Sequence, residues 1–495
     1  QLLPSLAIAK KIKEIDPEKI IVFGGSRTVG ELGKRVLDVF NYIDFIVSGE
    51  GEEALFRLTA EYPDYKSIPH LIYRKDGEIL WNNSDYYIDL NTLPIPSYDQ
   101  FFEELSKTSK QIQQVFYDKG RLPVEISRGC WWNKCSFCNQ KTIHPIYREK
   151  NIDRFIEEIE WLADRYKIVD FQIIGSTLPR NHRLFLKKII DLDRGFTFIA
   201  ETRADQLKSS DYTLLKNAGF SIIQTGIESF SGNYLKKMKK GVRVIDNIAT
   251  LKFCKENGIT NFYNIIVNYP NEEKIDFEET KKNIQLFKQY LDLPNICQLR
   301  VVYGSEIYDN PESYNIEKLY PSEIDTIMHP PEILEKGLAY VYDFKTKQKV
   351  EKHDWNGFIE EQKKEQKLYS VYKKGDQPDI NMFQFYFIDS RNFLKIYDKR
   401  DLDNVKIYNL NKLERDIFLA CIDIISLHEL KKEFSQIPDF KLTAILRTFE
   451  QCKILFRENE EYLSLPLNHR ILTHKELPKK LDSSFCYSSE IQKTL

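Results

Sequence analysis

Residues 128–138 read Arg-Gly-Cys-Trp-Trp-Asn-Lys-Cys-Ser-Phe-Cys. Three thiols, Cys130, Cys135 and Cys138, crowd into this one loop, directly after an apolar run at 124–127. The count of three is informative. A [4Fe–4S] cluster usually takes four Cys ligands, so three leave one iron open for another group. Zinc is the rival reading, and its fourth ligand would have to be His144, because structural zinc sites close a tetrahedron. Buried thiols that cluster without any metal are the third reading.

Outward from this loop the chain alternates. Apolar strand candidates fall at 124–127, 170–174, 196–201, 221–227, 261–268 and 296–303, with helical spacing between them at 152–166, 181–192, 210–218, 231–256 and 276–291. Strands alternating with helices predict a parallel sheet, here a partial (β/α)6 barrel over 121–310. In such barrels chemistry sits at the C-terminal strand ends, where the three-Cys loop falls. Upstream, 1–62 reads as part of a second α/β unit, with strands at Ile20–Phe23 and Phe45–Val47, each followed by a glycine turn and a helix. Residues 63–120 read as an irregular linker with a hairpin near Leu71–Ile79. Residues 311–400 form an irregular extension with strands at 382–398. Residues 401–470 read as three helices and a hairpin, a winged-helix pattern, followed by a polar tail at 471–495.

Composition narrows the function classes. The 495 residues carry Lys+Arg 72 against Asp+Glu 74, a net charge of -2, which excludes a globally basic nucleic-acid binder. No apolar run approaches the roughly 18–20 residues of a membrane span. Eight cysteines, three of them in one cluster, suit a reducing cytoplasm better than a disulfide framework.

Cys-x4-Cys-x2-Cys after the first strand of a barrel resembles the radical SAM superfamily, whose usual spacing is one residue shorter. The resemblance implies that Cys130, Cys135 and Cys138 hold a [4Fe–4S] cluster whose open iron binds S-adenosylmethionine (SAM). Electron transfer then cleaves SAM to a 5'-deoxyadenosyl radical that takes hydrogen from substrate. It also implies a reducing partner such as flavodoxin or ferredoxin. Later strand ends fit: Glu201 for ribose hydroxyls and Arg203 for the SAM carboxylate, then Gly226, Glu228 and Ser229, with Asn264 and Tyr269 beside the adenine. Gly226-Ile227-Glu228-Ser229 resembles the Gly-x-Glu-Ser motif of the subgroup with a cobalamin domain. The turns at Gly24-Gly25 and Gly49-Glu50-Gly51 resemble the second half of that domain, where they approach the corrin's nucleotide tail. The Asp-x-His-x-x-Gly motif that supplies a cobalt ligand is absent; it would lie before residue 1.

A narrower resemblance rests on "RGCWW", "GELG", "LPIPSYDQFF" and the winged unit. Together they resemble the RiPP maturation radical SAM protein 1 family, which acts on ribosomally made precursor peptides. This implies a cobalamin-dependent C-methyltransferase, with the winged unit reading a peptide leader as an added strand. Here Asn133 replaces a Gly of that family, and Asn139 stands where Gly often follows the third Cys. The rivals are a radical SAM epimerase, cyclase or small-molecule enzyme, and a non-catalytic iron–sulfur or cobalamin protein. Acidic residues interleave with Lys431, Lys432, Lys441 and Arg447, which argues against DNA binding by the winged unit. The run Lys236–Lys240 reads as a solvated helix end, and Arg300 as structural or substrate-facing.

Overall fold

The structure, a computed structural model, describes residues 2–371 and 383–470; the tail at 471–495 lies outside the described residues. Strands β1 (Val22–Phe23) and β2 (Phe45–Val47) run parallel, with helices Leu2–Ile15, Glu31–Val39 and Glu52–Glu61 around them. The sheet continues. β3 (Leu71–Lys75) pairs antiparallel with β2 and returns as β4 (Glu78–Trp81). The hairpin expected in a linker therefore completes a four-stranded sheet in chain order. Leu71, Ile72 and Tyr73 are all buried, so this strand packs apolar residues on both faces. The remainder of 63–120 also contains the helices Asp99–Ser106 and Lys110–Lys119. The second of these buries no residue, which is why it leaves little apolar period in the sequence.

Five parallel strands follow in chain order: β5 (Leu122–Glu125), β6 (Asp170–Ile174), β7 (Thr197–Arg203), β8 (Phe220–Gly226) and β9 (Thr260–Phe262). The chain breaks pairing at Tyr263. β10 (Asn264–Val267) then pairs with β11 (Asn295–Gln298), and a single bridge from Glu228 to Ile265 joins the two pieces. Six strand positions with outer helices make the partial barrel that the alternation predicts. Phe171, Phe198 and Phe220 stack in its helix-side core, each fully buried, which contributes about 1.5–3 kcal/mol apiece. The single helix expected over 231–256 is two, Gly232–Lys237 and Val244–Asn257. Gly241, at φ 74, turns the chain between them.

The last expected strand also divides. Val301–Val302 leaves the barrel and joins a three-stranded sheet with Val341–Thr346 and Ile316–Pro321. Leu338, Tyr340 and Val341 pack into the core of the N-terminal sheet, so this extension bridges the sheet and the barrel.

The winged unit consists of helices Lys412–Ala420, Leu427–Glu433 and Asp439–Gln451 and a hairpin of Leu455–Glu458 with Glu461–Ser464. It is docked on the barrel. Glu458 accepts from the Ile245 backbone N–H at 2.7 Å, Glu461 pairs with Arg243, and Asp423 accepts from Ser209 N–H at 2.9 Å. All three contacts fall at N-termini of barrel helices, where a carboxylate also meets the positive end of the helix dipole. Those termini lie at the C-terminal strand ends, the mouth of the barrel.

Candidate functional site

The three-Cys loop is pinned from within. Gly129 has φ 82, and a Cβ there would stand 3.0 Å from the Ile146 carbonyl, so only glycine fits. Ser136, between the last two cysteines, donates its N–H to the Met238 carbonyl at 3.0 Å and shares a 2.8 Å hydrogen bond with the Tyr269 hydroxyl. Trp132 Nε1 donates to the Lys239 carbonyl at 2.9 Å. The Arg203 guanidinium lies 4.9 Å from the Trp131 ring and 5.0 Å from Trp132. Asn133 sits at φ 49, the left-handed region that Asn tolerates better than most residues. Asn139 donates to the Tyr340 hydroxyl at 2.7 Å and ties the loop to the extension.

Cys135 and Cys138 are largely enclosed. Burial pushes the Cys135 thiol up to about 11, opposed by nearby Lys240 and Arg203. Burial raises Cys138 also, while the Gln140 N–H points at its sulfur from 3.5 Å and lowers it. Such cations and N–H groups stabilise bound thiolates.

Strand register lines the mouth. Glu201, Gln224 and Phe262 form one transverse row across β7 to β9, and Glu125 lies opposite Ile174 across β5 and β6. Glu201 reaches open space yet is walled in by protein, and desolvation raises its carboxyl above the ordinary value, with Lys240 opposing. Glu228 holds a strained φ of 62. Its Oε1 accepts from Lys240 Nζ at 2.9 Å. Desolvation pulls the buried Lys240 ammonium down, but Glu228 and Cys135 outweigh it and the net shift is upward. A Cβ at Gly226 would collide with Lys240 Nζ, so Gly226 makes room for the pair. Asn264, half-buried, accepts the Glu228 N–H through its carbonyl at 3.1 Å.

Three expected ligand residues are otherwise engaged. Arg203 spends Nε and Nη2 on Asp205 and the Lys240 carbonyl, each at 3.0 Å. Ser229 is buried in a turn, accepting from Ser231 N–H. Tyr269 is buried and fastens Ser136. All three brace the mouth from behind. Lys240, which the sequence places on a solvated helix end, is 6% exposed and belongs to the mouth instead. Its signal is faint: the last of four lysines before the glycine that breaks the helical period. On the far wall Arg300 Nη1 is buried without a hydrogen-bond partner.

The N-terminal sheet presents Gly24, Gly25, Gly49 and Gly51 at its strand ends. A Cβ at Gly25, Gly49 or Gly51 would meet nothing within 4 Å, so these turns form a bare backbone rim. Glu50 turns the other way. Its carboxylate pairs with Arg148, with Arg128 at 3.4 Å and with His144 Nδ1 at 3.6 Å, and Arg128 also reaches Glu52 at 2.5 Å. The turn is thus clamped to both ends of the three-Cys loop.

The donor set fits the cluster. Three thiols share one enclosed loop faced by cations. Among the described residues no three His, Cys, Asp or Glu are drawn to one point, and His144 Nδ1 faces Glu50 at 3.6 Å. The polar mouth of Glu201, Gln224, Glu228, Lys240 and Asn264 fits a zwitterionic, nucleoside-bearing ligand. The glycine rim fits the edge of a large planar ligand.

Residues 124–284 match the family model of the radical SAM superfamily, and the chain carries that α/β fold; such a domain implies a [4Fe–4S] cluster and SAM. It is 25% identical over 303 residues to an anaerobic magnesium-protoporphyrin IX monomethyl ester cyclase of Synechocystis, covering 59% of this chain and 57% of that one. It is 26% identical over 300 residues to an uncharacterized methyltransferase of Pyrococcus horikoshii, covering 58% and 61%. The chain thus spans about three fifths of the length of these curated relatives. Among solved structures it resembles the radical SAM methyltransferase TsrM from Kitasatospora setae, determined with cobalamin and a [4Fe–4S] cluster bound. That likeness has a TM-score of 0.53 and 15% identity over 72% of this chain and 74% of TsrM, a likeness of fold. No helix among the described residues is long and apolar enough to cross a membrane.

Proposed function

We propose that this protein is a radical SAM enzyme that uses cobalamin to methylate a carbon centre in a ribosomally made precursor peptide. One observation carries the reading: a three-thiol loop at the end of β5 is clamped, through Glu50 and Arg128, to an α/β sheet whose exposed rim is bare glycine backbone. When bound, the cluster and SAM supply a 5'-deoxyadenosyl radical and cobalamin supplies a methyl group. The chain's own residues bind and orient. Cys130, Cys135 and Cys138 would hold the cluster. Lys240 offers a cation to the SAM carboxylate, and Glu228 and Glu201 offer acceptors to its amino and ribose groups. Gly24, Gly25, Gly49 and Gly51 leave backbone free against the corrin edge. Ile174 and Phe262 add apolar surface to the mouth and limit water there.

The peptide reading draws support from the winged unit, whose outer strand Leu455–Glu458 offers a ladder for an added strand. Its docking at helix N-termini holds that ladder at the mouth end of the barrel.

The test is anaerobic reconstitution with hydroxocobalamin, then iron, sulfide and corrinoid counts and an assay for 5'-deoxyadenosine. The expected result is about four irons per chain, bound corrinoid, SAM cleavage, and one added methyl on a peptide encoded nearby. Iron and SAM cleavage without corrinoid would overturn methyl transfer. Zinc in place of iron would overturn the whole reading. One observation favours epimerisation as a second reading. The half-buried Cys297 thiol on β11 is raised by burial and lies close enough to Glu228 and Arg300 to feel both charges, where it would return hydrogen to a substrate radical. Retained D-residue formation in Cys297→Ala would exclude that role.

A further inference from the structure

A cavity of about 320 Å³ opens beside the three-Cys loop, lined by Trp132, Lys134, Lys236, Lys239 and Gly241 among others. Its lysines differ from their neighbours. Lys237 turns inward to Glu273 and Asp276, at 2.6 and 2.7 Å, and Lys240 turns inward to Glu228. Lys134, Lys236 and Lys239 stay exposed. Lys134 lies over the Trp132 ring at 5.1 Å, and Lys239 shares its charge with Glu306. Three exposed cations against one carboxylate make a local excess on a chain whose net charge is only -2. An aromatic face lies at the centre of the patch. The patch is one helix end and one loop, not the stripe that a nucleic-acid backbone needs.

The position of the patch gives it a use. Lys134 immediately precedes Cys135, and Trp132 lies in the same loop between Cys130 and Cys135. A protein seated here would touch the segment that carries all three thiols. We propose that this cavity is the docking surface for an acidic one-electron carrier protein of the flavodoxin or ferredoxin kind, an inference that rests on the radical SAM reading above. Acidic residues around the carrier's redox centre would meet Lys134, Lys236 and Lys239, and its apolar centre would meet Trp132. In the redox step one electron leaves the reduced carrier, as flavin hydroquinone or reduced iron–sulfur centre. The oxidised [4Fe–4S] cluster gains that electron, and no atom is transferred.

The test compares two reductants on the reconstituted protein. Lys236→Glu/Lys239→Glu is set against Lys10→Glu/Lys66→Glu, which makes the same change in net charge at exposed sites away from the cavity. Cluster reduction is followed by stopped-flow absorbance with reduced flavodoxin and with dithionite. Binding of oxidised flavodoxin is measured separately by calorimetry. The expected result is a roughly tenfold or greater loss of rate and affinity with flavodoxin in the cavity variant at low salt. Dithionite reduction should be unchanged, the control variant should resemble wild type, and the difference should shrink at about 0.5 M salt. Equal flavodoxin rates in wild type and the cavity variant would overturn the proposal. If the double reversal loads iron poorly, Lys236→Gln gives the same comparison with a smaller perturbation. Absence of iron–sulfur absorbance from the reconstituted wild-type protein would overturn the radical SAM reading itself, and this surface with it.

Discussion

Lys240 Nζ donates to Glu228 Oε1 at 2.9 Å, and the two side chains close the back of the barrel mouth beside Cys135. Both are little exposed, at 8% and 15% of their side-chain surface. A pair withdrawn from water this far is costly to break, because the survivor keeps its desolvation penalty without its partner. Lys240→Met should therefore destabilise the protein by about 3 kcal/mol. Adding Glu228→Gln should recover part of that loss. A double-mutant cycle by urea unfolding reads the coupling, and additivity of the two changes would refute it.

The cluster loop gives a more direct expectation. Cys130→Ala, Cys135→Ala or Cys138→Ala should each lower iron after reconstitution from about four per chain towards zero. Cys254→Ala should keep it, since Cys254 is a buried core thiol on an outer helix. Iron and sulfide counts with the visible absorbance of each variant decide this. Full iron in Cys135→Ala would remove the loop from the ligand set.

Much of this was legible in the sequence. Most barrel helices follow from periodicity because they have one buried and one open face; the apolar spacing over 152–166 coincides with helix Ile152–Tyr166. The cluster loop was legible because three thiols at that spacing have few other uses. Legibility fails where partners lie far apart in sequence. Leu71–Lys75 reads as an isolated hairpin strand until it pairs with Phe45–Val47. Lys240 reads as solvated until the fold brings it to Glu228, and nothing in the sequence shows that Arg203 also holds Asp205 and the Lys240 carbonyl. Glu50 reads as part of a corrin-facing turn; only the fold shows its side chain turned to Arg148 and Arg128. Short apolar periods identify elements, but the side-chain pairs that build the mouth are set by tertiary approach.

Gly241 tests how tightly the loop is held. Its φ of 74 is strained for any residue with a side chain, and an added Cβ would overlap the Trp132 ring. Gly241→Ala should cost at least about 2 kcal/mol, from the left-handed backbone and the displaced ring together. Trp132→Ala should relieve the overlap, so Gly241→Ala should cost less in that background. Thermal or urea unfolding of the four proteins measures it, and an equal cost in both backgrounds would show that the ring does not oppose the Cβ.

Glu50 carries the last prediction, and its sign follows from its surroundings. Burial alone would raise its carboxyl, but nearby His144, the hydrogen bond from Arg148 and the charge of Arg128 win, and the net pKa falls to about 2. A carboxylate held below its unfolded value stabilises the fold fully above the unfolded pKa, near 4.5. That contribution is then lost as pH falls from there towards 2. At neutral pH Glu50→Gln should cost about 2 kcal/mol, since the shift sets a ceiling of about 3 and partial solvation reduces it. The gap between wild type and Glu50→Gln should close steadily as pH falls below about 4.5. Urea unfolding of the cluster-free protein across that range measures the gap. The substitution should also loosen the clamp on Arg128 and Arg148, so the reconstituted variant should lose iron to a chelator faster than wild type at pH 7. A gap that stays constant with pH would mean that Glu50 holds its partners through shape and hydrogen bonds, with no net benefit from its charge.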